Sequence, residues 1–337
     1  MRLALSLFFY GVILLSKTAI AQELGAKVEF FGYADNREFG AAYTVPKTIF
    51  GTTLSPQLYL KIDSNHFLYG GIHYNQDFGF HLEDKGKINP VTYYNYQSEN
   101  IDFALGFLPR HERLQHVPRI VLADTFYYDR PNLEGMYFEY KNQNIRQSVY
   151  IDWLSKQSPI HREQFIAGIS GWYTLGSLYV AHDGILYHNA LTSNDDIEEH
   201  IQDNAVYTAR LGWDLTDRTN LDSLAMEAGA AFGFDRLRTI YEMRQTSGFL
   251  STIHVQYKQF FVNNTLYLGE GHNLPNADSF YHHGKYNRLD LGWIPFRSTH
   301  IEGKFTASFH FTPGQVDNQQ TFTLRYKFGS VLQSRAR

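Results

Sequence analysis

Hydrophobic and polar side chains alternate with a period of two along most of the chain. The clearest run is 321–328, in which every even position is aromatic or aliphatic and every odd position is Thr, Arg or Lys. The preceding run, 301–311, places Gly and apolar residues at odd positions and polar residues at even positions. Successive side chains of a strand point to opposite faces, so the pattern predicts β-strands with one apolar and one polar face.

Runs of this kind predict about sixteen strands, within a range of about 14 to 18. We place the strand centres near Phe30, Thr52, Gly71, Tyr94, Phe103, Phe138, Tyr150, Ile169, Val180, Ala209, Ala228, Ile253, Leu266, Leu291, Phe305 and Leu324. An even number of strands closes an up-and-down antiparallel barrel with both termini on one side. The fold class we expect is therefore all-β, a transmembrane up-and-down antiparallel β-barrel.

The connections between these strands alternate between short turns and longer polar loops. The longer set comprises 38–47, 79–90, 110–132, 156–162, 188–203, 236–246 and 270–286, with a short eighth member at 314–318. Outer-membrane barrels have short periplasmic turns and longer extracellular loops. A soluble β-sandwich also alternates, but so many consecutive strands would need two sandwiches or a propeller, and neither a linker nor a blade repeat is present.

The first 21 residues have the features of a secretory signal. Arg2 is followed by an apolar run at 3–15 and by the small-residue site Ala19-Ile20-Ala21. The apolar run is shorter than the roughly 20 residues that a membrane-spanning helix needs. We expect cleavage after Ala21, which leaves one barrel domain over 22–337 without an internal boundary.

Composition narrows the function classes. The chain has 337 residues, no cysteine, 16% aromatic residues and a formal charge of −4. Absent cysteine excludes disulfides and thiolate metal sites, and the mild negative charge argues against a nucleic-acid partner. A mean hydropathy of −0.36 excludes a bundle of membrane helices but not a barrel, whose inward half is polar.

The exported chain, its alternating hairpins and its last strand resemble Gram-negative outer-membrane barrels of the porin type. The run from Thr323 to Phe328 matches the aromatic-ended final strand that the barrel assembly machinery reads in that group. The resemblance implies a bacterial outer-membrane location, contact with outer-membrane lipid and an aqueous channel. The tail 329–337 departs from the group, in which the aromatic residue usually ends the chain.

The longest loop, 110–132, is the third of the long set. In porin-like proteins the third outer loop folds into the lumen and narrows it, and the apolar content of this loop favours packing inside. By that analogy a constriction would set basic against acidic side chains, namely Arg110, Arg113, Arg119 and Arg130 against Asp124 and Asp129. The alternative is a solvated surface loop whose charges have no special role.

The polar strand faces predict which side chains point into the lumen. These include Tyr69, His73, Tyr150, Asp152, Arg210, Glu227 and Arg325. Aromatic rings beside carboxylates suit sugar rings, so a saccharide path is one interpretation. General filling of the barrel is the other.

Catalytic and metal motifs are weak in the sequence. The nucleophile motif G-x-S-x-G is missing, although Ser170 could pair with a distant His, and the histidines lack metal-ligand spacing. We therefore expect no enzyme and no cofactor. The favoured function is a porin-like channel for passive diffusion of small polar solutes, with saccharides as candidates and a homo-oligomer left open. Alternatives are a barrel enzyme acting on lipid or envelope polymer, and an adhesin or partner barrel of a larger complex.

Overall fold

The computed structural model describes residues 23–79, 86–194 and 198–334. The predicted signal segment, 1–21, lies outside the described residues, as do parts of the predicted loops 79–90 and 188–203. Among the described residues, no helix is long and apolar enough to cross a membrane.

Sixteen strands close into one barrel in which each strand pairs with its neighbours in sequence and β1 pairs with β16. All of these pairs are antiparallel. The strands are β1 (Glu23–Glu38), β2 (Lys47–Lys61), β3 (His66–Asp77), β4 (Lys87–Gln97), β5 (Ile101–Pro109), β6 (Asn132–Lys141), β7 (Ile145–Ser155), β8 (Gln164–Leu175), β9 (Leu178–Asn189), β10 (Gln202–Asp214), β11 (Ser223–Leu237), β12 (Tyr241–Tyr257), β13 (Phe260–Gly269), β14 (Lys285–Arg297), β15 (Ile301–Thr312) and β16 (Gln315–Ser334).

The predicted fold class is confirmed, and each of the predicted strand centres lies within an observed strand. Period-two alternation locates these strands well because one face contacts lipid and the other lines the lumen. Aromatic side chains lie on the outward face near both ends of the barrel. Trp213, Trp293 and Tyr326 are exposed near the short turns, whereas Trp153 and Phe311 are exposed near the long loops.

Two predicted boundaries differ from the structure. The last strand does not end at Phe328, because β16 continues to Ser334 and pairs with the start of β1. The predicted loop 236–246 is mostly strand, since β11 and β12 extend until only 238–240 connect them. The extended ends of β11 and β12 contain polar and charged residues, and this polarity suggested a loop.

Two extracellular loops enter the lumen. The inner loop (110–131) carries two short helices, α1 (His111–Leu114) and α2 (Phe126–Asp129). The second inner loop (270–284) contains a 3-10 turn at Ser279–His282. The two loops contact each other through backbone hydrogen bonds from Ala123 N to Asn276 O, at 2.8 Å, and from Asp278 N to Arg119 O, at 3.0 Å.

Candidate functional site

The inner loop is attached to the barrel wall at its first residue. Arg110 is almost fully buried, and its Nη1 lies 2.6 Å from Asp152 Oδ2 on β7. Its guanidinium also lies 4.4 Å from the ring centre of Phe126 and donates hydrogen bonds to the carbonyls of Arg130 and Asn132. Because these partners lie at both ends of the loop and on the wall, Arg110 closes the loop and holds it inside.

The other basic residues of the inner loop have separate partners. Arg113 lies 3.7 Å from both Asp102 and Glu112. Arg119 Nε lies 2.7 Å from Asp124 Oδ2, and its Nη1 lies 3.5 Å from Asp290 on β14.

Only part of the predicted opposition of charges is therefore present. Arg119 faces Asp124, whereas Arg110 and Arg113 contact acids of the wall or of α1. Arg130 donates to the carbonyl of Leu154 at 2.9 Å, and Asp129 is exposed at the end of α2. Two of the acidic partners, Asp152 and Asp290, lie on strands distant in sequence, so the loop sequence did not reveal them.

The strand residues predicted to face the lumen lie on the inner face. The Tyr69 ring stacks on Tyr93 at 4.4 Å, and Ser55 Oγ lies 2.5 Å from His73 Nδ1. Tyr150 and Asp152 are buried on β7. Arg210 lies 2.7 Å from Asp183 and 3.1 Å from Glu227, and the Arg325 guanidinium lies 4.1 Å from the Phe31 ring centre beside Glu29.

Ser170, the nucleophile candidate of the sequence, does have a distant histidine beside it. His116 Nε2 of the inner loop lies 3.0 Å from Ser170 Oγ, which also lies 2.6 Å from Asp183 Oδ1. In a catalytic triad the imidazole lies between the acid and the serine, whereas here the serine lies between the acid and the imidazole. The hydroxyl donates its one proton to Asp183, so His116 Nε2 carries a proton and cannot accept from it. This cluster anchors the inner loop to the wall.

A second histidine–carboxylate pair lies on the outside of the barrel, at its extracellular end. His188 Nδ1 on β9 lies 2.8 Å from Asp203 Oδ1 on β10. Arg236 Nη2 and Arg238 Nε lie 2.7 and 2.9 Å from the other oxygen, Asp203 Oδ2. We call these four residues the rim cluster. Two partly exposed guanidinium groups share one carboxylate, so the cluster is cationic at neutral pH.

A groove of about 530 Å³ lies on the same outer face, below the rim cluster, and its walls are apolar on β10 and β11, whereas Gln245, Ser247 and Glu270 line its other side. Its aromatic walls come from two register pairs, since Ala205 lies opposite Phe234 and Tyr207 opposite Phe232. Along the outward face, the Ala205–Phe234 pair lies one position closer to the membrane centre than the Asp203–Arg236 pair. The Tyr207–Phe232 pair lies two positions closer. A charged site above a groove with aromatic walls matches the shape of a lipid, with a polar head above acyl chains.

Sequence reasoning missed the rim cluster because it treated 188–203 and 236–246 as loops. A usable signal was present. When the alternation of β10 is continued from Tyr207 towards the extracellular end, Asp203 falls on the lipid-facing side. The β10–β11 register then places Arg236 opposite Asp203.

Outer-membrane proteins of Gram-negative bacteria have the same fold. A loop-deleted form of OmpT from Vibrio cholerae superposes with a TM-score of 0.59 at 8% identity, covering 91% of this chain and 100% of that one. OccK2 of Pseudomonas aeruginosa, solved with glucuronate, gives 0.52 at 9% identity, covering 92% and 98%. The anion-selective porin of Comamonas acidovorans gives 0.53 at 9% identity, covering 90% and 98%. The chain is thus an outer-membrane barrel with a porin-like fold, and these low identities extend to nothing beyond the fold.

A search of curated proteins finds no match. A family model described as lipid A 3'-O-deacylase-type matches residues 16–334. The expectation that the chain is not an enzyme is therefore wrong, because this is an enzyme family and the match spans nearly the whole chain. The absence of G-x-S-x-G misled the sequence reasoning, since ester hydrolysis does not require that motif. The chain belongs to the lipid A 3'-O-deacylase-type family.

Proposed function

We propose that this barrel hydrolyses an acyl ester of lipid A in the outer leaflet, with the rim cluster as its active site. The observation that carries the proposal is the His188–Asp203 pair on the lipid-facing surface, above a groove with aromatic walls on β10 and β11. Lipid A carries phosphate groups above several acyl chains. Its chains would lie along Tyr207, Phe232 and Phe234, and its phosphates would meet Arg236 and Arg238.

The chemistry follows from the geometry of the pair. Asp203 accepts the Nδ1 proton of His188, which leaves Nε2 free to take a proton from water. That water oxygen attacks the ester carbonyl, and the guanidinium groups stabilise the oxyanion that forms. The bond between the carbonyl carbon and the sugar oxygen then breaks. His188 returns the proton to that oxygen, so the products are a fatty acid and a free sugar hydroxyl.

The test is an assay of purified full-length protein on lipid A in mixed micelles, with released fatty acid measured by mass spectrometry. His188→Gln is expected to slow release about 100-fold or more, the usual contribution of a general base. His161→Gln is the matched control, because His161 is an exposed histidine of a neighbouring loop and its hydrogen bonds to described residues lie within that loop. Equal rates for His188→Gln and the wild type would remove the rim cluster from catalysis, and no release by the wild type would overturn the proposed activity.

A second candidate function is passive passage of small polar solutes. Cavities of about 470 and about 90 Å³ follow the wall of β14–β16, and both are lined by Arg119, Asp124 and Arg288. We propose that these three residues, two of them in the predicted constriction set, form the narrowest point of any route through the barrel.

A further inference from the structure

The larger of these cavities lies in the periplasmic half of the lumen, between the inner loop and the wall of β14–β16. It has a volume of about 470 Å³ and reaches the exposed β14–β15 turn at Ser298–His300. It is separate from the rim cluster, which lies on the outer face of β9–β11. Neither the deacylase proposal nor the anchoring of the inner loop uses it.

Basic side chains outnumber acidic ones on the cavity lining. Its basic members are Arg119, Arg288, Lys304, Arg325 and Lys327, and its acidic members are Asp124 and Glu302. The arginines are fixed by carboxylates: Arg119 by Asp124, Arg288 by Asp290 and Arg325 by Glu29. The two ammonium groups are therefore the basic groups of the lining that, within the described residues, form no hydrogen bond to a carboxylate.

Lys304 is the less satisfied of the two lysines. Within the described part of the chain it has no ion pair, and its Nζ lies 5.3 Å from the ring centre of Phe261. Lys327 Nζ lies 3.9 Å from Glu29, a carboxylate that it shares with Arg325. A half-buried ammonium without a counterion is costly, and an anionic ligand would offset that cost.

Neutral polar groups of the cavity are also uncommitted. Gln115 and the hydroxyls of Thr306, Thr321 and Thr323 line the cavity, and within the described ranges their side chains form no hydrogen bonds.

We propose that this cavity binds a polyhydroxy carboxylate of monosaccharide size. Lys304 and Lys327 would hold the carboxylate, while Gln115 and the threonine hydroxyls would bond to the ligand's hydroxyl groups. The volume lies within the range of about 300 to 1,000 Å³ that is usual for small-molecule sites. This site goes beyond the proposed deacylase function and does not depend on it.

Isothermal titration calorimetry of the full-length protein in detergent tests the proposal. Gluconate is the probe, glucose supplies hydroxyl groups without the charge, and propionate supplies the charge without the hydroxyls. We expect saturable binding of gluconate and at least about tenfold weaker binding of the other two, because each lacks one class of contact. Absence of gluconate binding, or equal affinity for propionate, would overturn the proposal. If inorganic phosphate binds more tightly than gluconate, the proposed carboxylate ligand is wrong and the cavity binds a phosphate instead.

Substitutions then locate the site. Lys304→Met keeps the length of the side chain and is expected to weaken gluconate binding about tenfold or more. Lys141→Met is the matched control, because Lys141 is an exposed lysine at the periplasmic end of β6. Thr323→Val, which conserves volume, is a second variant in case Lys304→Met fails to fold, and migration of unheated samples on gels checks folding. Unchanged affinity in the folded Lys304→Met protein, or in Thr323→Val if the former does not fold, would exclude this cavity.

Discussion

Single residues on the inner wall match their partners on neighbouring strands closely. Tyr150 lies opposite Gly168 in the β7–β8 register, and a Cβ added to Gly168 would lie 2.0 Å from the tyrosine ring. The absence of a Cβ at Gly168 therefore leaves the space that the buried Tyr150 ring occupies. The lumen-facing position of Tyr150 was predictable from alternation, whereas its contact with Gly168 needed the register.

Removal of one partner from the buried Arg110–Asp152 pair tests how strongly the inner loop is held. Asp152→Ala leaves a buried guanidinium without its counterion, and we expect a loss of roughly 3 to 5 kcal/mol in the free energy of unfolding. Urea titration followed by gel migration of unheated samples measures it. Asp217→Ala, at an exposed acid of a periplasmic turn, is the control. Equal midpoints for the two variants would show that the pair does not hold the loop.

At the scale of elements, the strands were predictable and the loops only in part. Strands follow from alternation because lipid and lumen impose opposite polarity on their two faces. The entry of the inner loop into the lumen was expected from Leu114, Val117 and Ile120, and all three are buried there. The loop's charge partners were not predictable, since Asp152 and Asp290 come from strands distant in sequence and the contact of Asp102 with Arg113 depends on how the loop folds back on β5. The rim cluster was missed for the related reason that it lies where polar strand ends resemble loops.

The inner loop should loosen in acid because it buries neutral histidines. Burial lowers the pKa of both His111 and His116 to about 4, with nearby Lys327 and Arg146 contributing respectively. An exposed histidine titrates near 6.5, so between about pH 6.5 and pH 4 the released loop binds more protons than the packed loop. The contribution of these residues to stability is therefore complete above about pH 6.5 and is lost as the pH falls towards 4.

Hydrogen–deuterium exchange of residues 110–131 at pH 7.5 and pH 5, corrected for the intrinsic effect of pH, measures this release. We expect faster corrected exchange at pH 5 in the wild type. In the variant His111→Gln/His116→Gln the difference between the two pH values should shrink. A pH response that is the same in both proteins would assign the effect to other groups.

At the scale of the whole molecule, the closed barrel is common to porin-like proteins, but loops occupy part of its lumen. Among the described residues, two loops enter from the extracellular end and bond to each other, and the two cavities along β14–β16 share Arg119, Asp124 and Arg288. The strand number predicted a wide aqueous lumen, because barrels of about sixteen strands leave one. The number of strands sets the diameter of the barrel, whereas the loops set the width of the passage through it. If both proposals hold, the same wall carries a lipid-facing enzyme site while the loops restrict its interior.

Planar bilayer recording distinguishes a nearly closed barrel from an open porin. We expect the wild type to give small current steps that favour anions, because the lining of the larger cavity is basic and its connection to the extracellular side is narrow. Replacing 112–128 with a short Gly-Ser linker should raise the conductance several-fold, since it removes Arg119 and Asp124 from the neck and most of the loop from the lumen. Gel migration before and after heating checks that this variant forms a barrel. Large steps in the wild type, equal to those of the loop-replaced barrel, would mean that the inner loop does not limit passage. The channel interpretation would then become the main one for the interior, while the lipid-facing rim cluster would still be tested separately by the His188→Gln assay.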